Sequence, residues 1–308
     1  MKESGGKRMN ELVLNNGYKI PMIGIGTAKV GNLSKVLPMG LKLGYRLIDT
    51  AINYGNEEEI GEIIQEYREK VFLVSKIQIS CHGYEETLKA VENSLRRLRT
   101  KYIDLMLIHQ PYGDIYGEWR ALEELYLKGK LKAIGVSNFN SSRLMDLCIH
   151  STIKPMVNQL ELHPYFQQKE IVELCRLENI LIQAWSPLGQ GKIDFSKEEV
   201  LMEIAKCHKK TIQEVILRWH IQNGIIPLPR TQSLEHLKKN INIDTFELLD
   251  EEMDRINNLD RGRTFFQDHN DANVVKLLSV LVNNNDEAKK LNISDDYLEY
   301  VFGDNKRK

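Results

Sequence analysis

The chain has 308 residues and a formal net charge of −1. That length suits one large α/β domain with an appendage, since a closed β/α barrel takes roughly 250 residues as a single domain. The near-neutral charge offers no basic stripe to nucleic acid, and no apolar run reaches the ~18 residues of a membrane span, so neither partner is expected.

In chain order, residues 1–10 read as a loose leader without an apolar signal region. Residues 12–14 and 18–20 then form a hairpin with its turn at Asn16-Gly17, placed to cap the bottom of the main domain. From residue 45 onward, apolar strand-like runs alternate with helical periods. The strands are expected at 45–49, 71–75, 103–109, 131–136, 155–159, 180–185, 225–228 and 241–243. Most are continuous apolar runs, as parallel strands buried on both faces require. Leu88, Val91, Leu95 and Leu98 mark one helical stripe; Trp119, Leu122 and Leu125 mark another, closed by Gly129. Ser196 with Glu199, and Thr211 with Glu214, read as capping boxes.

Eight such units give an open doubly wound sheet or a closed barrel. Gly24-Ile25-Gly26 is followed by Lys29 where a dinucleotide-binding turn needs its third glycine, so that fingerprint fails. Polar residues fall instead at the C-terminal ends of many strands: Asp49, Lys76, His109, Ser137, Asn138, Gln159 and Ser186. A barrel gathers those ends on one face, where active sites sit. The expected architecture is therefore a (β/α)8 TIM barrel over residues 1–266, with an N-terminal β-hairpin and a helical C-terminal extension over 267–308. Cys81, Cys148, Cys175 and Cys207 show no paired or metal-ligand spacing. They read as reduced thiols of a cytoplasmic protein, and no metal site is expected.

Three segments just past strands carry ionisable groups that a scaffold does not need: 49–55 (DTAINYG), 75–76 (SK) and 108–111 (IHQP). Singly, Asp49 reads as a helix cap, Lys76 as a solvated side chain, His109 as a core histidine and Tyr54 as packing. Together they make a proton donor. A free phenol has a pKa near 10, and a neighbouring ammonium lowers it. A carboxylate holds the ammonium in place, and a histidine orients a carbonyl oxygen.

These segments, with GYRLIDTAINYGNEEEIG, DLMLIHQP, GVSNF, NQLELHP and WSPLG, resemble the aldo-keto reductase family over roughly residues 10 to 265. Within it, the chain is similar to the bacterial branch that reduces methylglyoxal and 2,5-diketo-D-gluconate. The resemblance implies a tetrad of Asp49, Tyr54, Lys76 and His109, with Tyr54 as general acid, and NADP(H) bound across the C-terminal face. Ser137, Asn138 and Gln159 match the positions that bond the nicotinamide carboxamide, and Trp185 the aromatic that stacks on the ring. Ser186 and Leu188 match the pyrophosphate wall, and Gly26, Thr27 and Asp49 also fall among the cofactor positions. Arg230, Thr231, His236 and Asn240 match the end that holds the adenosine 2′-phosphate.

The chain departs from the family pattern in three places. His236 stands where a second permanent cation is usual, and Lys239 where a carboxylate often meets adenine, so NADPH is expected to be favoured with NADH tolerated. Ala28, Gln78 and Gln110, beside Tyr54 and His109, replace bulky aromatics. That leaves a wider, wetter pocket for a small carbonyl substrate of dicarbonyl or keto-sugar-like type. The tail carries two amphipathic stretches, NVVKLLSVLV and ISDDYLEYVF, joined by an Asn-rich turn at 283–285. It reads as a helical appendage on the barrel wall, with a lid or a dimer contact as the sharper alternative; the chain is otherwise expected to be a monomer. The alternative function is a nicotinamide-binding, redox-sensing regulatory subunit with little turnover.

Overall fold

Burial on both faces explains why the central strands are nearly unbroken apolar runs. In the computed structural model, which describes residues 11–283, they form one parallel eight-stranded sheet. Its members are β3 (Gly24–Gly26), β4 (Leu47–Asp49), β5 (Phe72–Ile77), β6 (Leu105–Ile108), β7 (Ile134–Ser137), β8 (Val157–Glu161), β9 (Leu181–Trp185) and β10 (Ile225–Pro227), each paired with the next. Around it run α1 (Leu33–Leu43), α2 (Glu57–Ile63), α3 (Tyr84–Arg97), α4 (Ile115–Leu127), α5 (Ser141–His150), α6 (Lys169–Leu177), α7 (Glu199–His208), α8 (Ile212–Gln222), α9 (Leu234–Ile241) and α10 (Asp250–Asn257). The expected β/α barrel is thus present.

Its first strand is not where the alternation placed it. Residues 241–243 end α9 and enter a short 3-10 turn, Ile243–Thr245, and Ile243 is buried as helical packing rather than as a strand. The missing strand is the glycine-rich Gly24–Gly26, which has no β-propensity signature. It is a strand because the barrel needs a close seam there. The Gly26 amide donates to the Pro229 carbonyl at 3.1 Å, joining β3 to the end of β10. A Cβ on Gly26 would stand 3.0 Å from the Leu228 carbonyl oxygen, and one on Gly24 would stand 2.6 Å from a Leu228 methyl.

The hairpin consists of β1 (Glu11–Val13) and β2 (Lys19–Pro21), pairing Glu11 with Pro21 and Val13 with Lys19. Its loop is Asn15-Asn16-Gly17 rather than a two-residue turn. Leu14 and Tyr18 still pair, and Gly17 takes the left-handed conformation (φ 83°) that a three-residue hairpin loop places on glycine. Asn15 donates to the Pro155 carbonyl, Asn16 to the Lys132 carbonyl and Tyr18 to Asp104. All three acceptors precede a barrel strand, so the hairpin covers the N-terminal end.

The box at Thr211 and Glu214 opens α8 as expected. The one at Ser196 and Glu199 does not form, because Asp194 accepts the Ser196 amide and caps a 3-10 turn, leaving α7 to start behind Glu198.

The first tail stretch is α11 (Ala272–Asn283), and the second lies outside the described residues. α11 does not lie on the outer wall. It packs on the turn Ile79–Cys81 after β5, at the C-terminal mouth of the barrel, with Leu277 and Leu278 buried. Among the described residues no helix is long and apolar enough to cross a membrane.

A close approach inside the sheet gives a stability test. A Cβ on Gly135 in β7 would sit 2.6 Å from the Val157 carbonyl oxygen of β8. Gly135→Ala should therefore cost about 1–3 kcal/mol as overpacking, read as a lower urea midpoint. An unchanged midpoint would mean the strands have slack there.

Candidate active site

Asp49 ends β4, and the chain then turns sharply. The Thr50 hydroxyl bonds Asn56, and Asn56 reaches the Thr27 carbonyl at 3.1 Å. A 3-10 turn, Ile52–Tyr54, closes on Gly55 in the left-handed region (φ 68°). Glu57, buried at the start of α2, accepts from Ser75, Ser94 and Arg97 and fixes the far side of the turn. These local bonds present Tyr54 at the mouth.

Lys76 comes from the next strand and has no exposed surface. Its ammonium donates to Asp49 Oδ1 at 2.7 Å and to the Thr50 carbonyl at 2.8 Å. Burial lowers its pKa, and the Asp49 charge opposes that shift. Lys76 Nζ lies 5.0 Å from the centre of the Tyr54 ring, and the Tyr54 and His109 rings meet edge to face at 6.0 Å. All four residues of the expected tetrad therefore converge.

The electrostatics differ from the sequence expectation. The Tyr54 phenol is pushed up, first by burial and then by the Asp49 charge, with Arg230 opposing; the lysine does not pull it down. Lys76 is already engaged by Asp49. His109 is held well below its ordinary value by burial and then by the Lys76 charge, so its imidazole is neutral. The resting site is a protonated phenol beside a neutral imidazole.

The other expected positions divide. Gly26, Ala28, Asp49, Tyr54, Trp185, Ser186, Leu188 and Arg230 share the wall of one cleft of about 270 Å³, at the β3/β10 seam. Ser186 and Asn138 both adopt left-handed backbone (φ 51° and 63°), as do six other non-glycine residues among the described ones. The buried Ser186 hydroxyl has no hydrogen-bond partner. Asn138 donates to the His109 carbonyl at 3.0 Å and accepts from Trp185 Nε1 at 2.9 Å. Ser137 donates to the Gln159 carbonyl, and Thr27 to the Asp49 carbonyl.

Gln159 reaches across the barrel interior to Asp49 Oδ2 at 2.8 Å and to Gln183 Oε1 at 2.9 Å. Gln183 is a site residue the sequence reading missed; a glutamine inside the apolar run 180–185 was the available signal. At the outer end, Thr231 and His236 are 3.4 Å apart, Lys239 is paired with Glu235, and Asn240 is buried in α9. Gln78 and Gln110 do not line the cleft: Gln78 contacts Cys81 Sγ at 3.6 Å, and Gln110 Oε1 is buried without a partner. The tail crosses above, with Thr264 and Phe265 hooked to Glu161 and the Phe266 ring edge-on to Trp185 at 5.2 Å.

A sequence profile of the Aldo/keto reductase family matches residues 22–261. The chain belongs to the aldo/keto reductase family. It is 45% identical over 255 residues to a glyoxal reductase of Bacillus subtilis, covering 80% of this chain and 92% of that protein. An aldo-keto reductase enzyme from a Medee basin deep-sea metagenome library superposes with a TM-score of 0.83 at 39% identity, over 85% of this chain and 99% of that one. A Bombyx mori aldo-keto reductase solved in complex with NADP superposes with a TM-score of 0.80 at 28% identity, over 85% and 96%. The chain is thus an oxidoreductase by family.

Three histidines, the core His220 and the partly covered His82 and His269, are each lowered to about 4, foremost by burial of the ring. Their unfolded counterparts titrate near 6.5, so the fold is penalised as pH falls from about 6.5 toward 4, by up to about 3 kcal/mol each. Urea midpoints should begin to drop between about pH 6.5 and pH 5, above the range where most carboxylates titrate. A flat profile in that window would contradict the burial of these rings.

Proposed function

We propose that the chain is an NADPH-linked carbonyl reductase of small dicarbonyl or keto-sugar-like substrates, with Tyr54 as general acid, working in the cytoplasm. The observation that carries this reading is the buried Asp49–Lys76 pair, with Tyr54 and His109 held against each other beside the seam cleft. The likeness to a glyoxal reductase supports the substrate class, and four unpaired cysteines suit a reducing compartment.

The cleft suits an elongated cofactor bearing phosphate. The unpartnered Ser186 hydroxyl, the open backbone at Gly191 and the Arg230 guanidinium lie along it, and the Trp185 ring forms a flat wall. A nicotinamide cofactor, when bound, supplies the hydride. Ser137, Asn138 and Gln159 would hold its carboxamide. Asn138 Oδ1 already accepts from the Trp185 indole and keeps a second lone pair that a carboxamide N–H could use.

The chain's own residues manage the oxygen. A neutral His109 can donate an N–H to a carbonyl oxygen, and Tyr54 presents its O–H. Both donors are in place before charge develops, which is when preorganised dipoles act most strongly. As the oxygen becomes an alkoxide it is more basic than a phenolate, so the firmly held Tyr54 proton moves to it. The phenolate left behind faces the Lys76 ammonium, which Asp49 and the Thr50 carbonyl keep in register. The same reading treats 1–266 as the barrel domain and 267–308 as an extension, with the Glu161 hooks at the join.

Tyr54→Phe should lower kcat for methylglyoxal by at least about 10²–10⁴-fold and keep NADPH binding, followed by loss of NADPH absorbance. Wild-type protein that binds NADPH but turns over no carbonyl would support the regulatory-subunit reading instead. At the phosphate end, His236→Arg restores a fixed cation. It should lower KM for NADPH by about tenfold or more and leave KM for NADH unchanged. Equal shifts for both cofactors would remove His236 from the phosphate site.

A further inference from the structure

Behind His109 lies a second buried polar group that the proton transfer from Tyr54 does not use. Glu118, in the first turn of α4, has no exposed surface, and His82, in the turn after β5, is almost as deep. His82 Nε2 stands 3.1 Å from Glu118 Oε2. The approach is off the line of an ideal hydrogen bond, yet neither carboxyl oxygen nor Nε2 has any other partner, so each depends on the other. The second ring nitrogen, Nδ1, bonds the Tyr112 carbonyl. The Tyr112 hydroxyl in turn donates to the His269 carbonyl in the tail. The Ile77 carbonyl, which faces the His82 ring, also accepts the His109 amide at 3.2 Å.

We propose that His82 and Glu118 share one proton and act as positioning residues for His109, locking the turn 109–113 and the tail at His269 over the site. The proposal rests on the reductase reading of His109. With the proton on Glu118, its O–H points to His82 Nε2, and the His82 Nδ1–H is left to hold Tyr112. Removing that proton sets a carboxylate against an imidazole lone pair in a dry pocket, and the turn loses its anchor.

The groups that act on the Glu118 carboxyl favour its protonated state. Cys81 from the turn after β5 and Asp114 at the N-cap of α4 join burial in holding the Glu118 carboxyl well above its ordinary value, burial first. Burial lowers His82 to about 4, opposed by the Tyr112 carbonyl, Asp114 and the Ile77 carbonyl. His82 in turn is one of the groups, after Lys76 and His269, that depress His109. A carboxyl with no exposed surface, no cation against it and no other partner favours its protonated form, so the proton is assigned to Glu118. It is lost on the alkaline side, as pH rises through the raised value.

The test compares wild type with Glu118→Gln and Glu118→Leu in full-length protein, reading kcat and KM with methylglyoxal and NADPH from about pH 6 to 9. Glutamine keeps a donor to His82 and cannot ionise. It should match wild type within about twofold near pH 7 and lack the alkaline fall in kcat that wild type shows. Leucine leaves Nε2 without a donor and should lose about ten- to a hundredfold in kcat, with NADPH affinity unchanged. An alkaline limb shared by wild type and the glutamine variant overturns the proposal, as does a folded leucine variant with wild-type kinetics. If the leucine variant fails to fold, the glutamine profile still decides. Amide exchange over 109–113, read without substrate and corrected for intrinsic rate, should rise with pH in wild type only; equal rises in both overturn the relay. That readout holds even if no carbonyl turns over, so failure of the relay is distinguished from failure of the reductase reading.

Discussion

The site depends on one ion pair in a place where ions are costly. Lys76 has no exposed surface, and an isolated ammonium there would shed its proton or destabilise the fold by several kcal/mol. Asp49 and the Thr50 carbonyl prevent this by bonding it directly. The second oxygen of Asp49 is taken by Gln159, and Gln159 by Gln183. One polar network thus runs from β4 and β5 across the barrel interior to β8 and β9. Lys76, Asp49 and Gln159 are each bonded within it, and the loss of any one of the three leaves a buried group unanswered. Tyr54 and His109 owe their protonation first to burial and then to the charges of Asp49 and Lys76 respectively.

The order of strengths explains why the resting phenol is a reluctant acid. An ammonium 5.0 Å away would favour a phenolate, but its charge is already spent on Asp49, and the Asp49 carboxylate itself acts on Tyr54 in the opposite sense. The site therefore holds a proton firmly until a stronger base appears within reach.

Much of this was legible in the sequence, because parallel strands buried on both faces leave continuous apolar runs with polar residues at their ends. Asp49, Lys76 and His109 were readable by that rule alone. The first strand was not, since a glycine-rich Gly24–Gly26 carries no propensity and owes its conformation to the closeness of Leu228 and Pro229, more than two hundred residues away. The false strand at 241–243 had the right residues for either structure, and the packing of α9 decided for helix. The direction of the Tyr54 shift was misread because residue types reveal which charges are near but not which are already paired. His82 and Glu118 carried no signal in the sequence; they lie 36 residues apart, and only the packing of the turn after β5 on α4 brings them together.

The seam between β3 and β10 has a consequence for the chain as a whole. The barrel's first and last strands meet through close glycine contacts and an amide bond from Gly26 to Pro229, and the same residues form one side of the cleft. A molecule seated there touches the beginning and the end of the barrel at once. It works as a clasp, adding its binding energy to the closing of the ring. Occupying the cleft therefore reinforces a ring that is already closed.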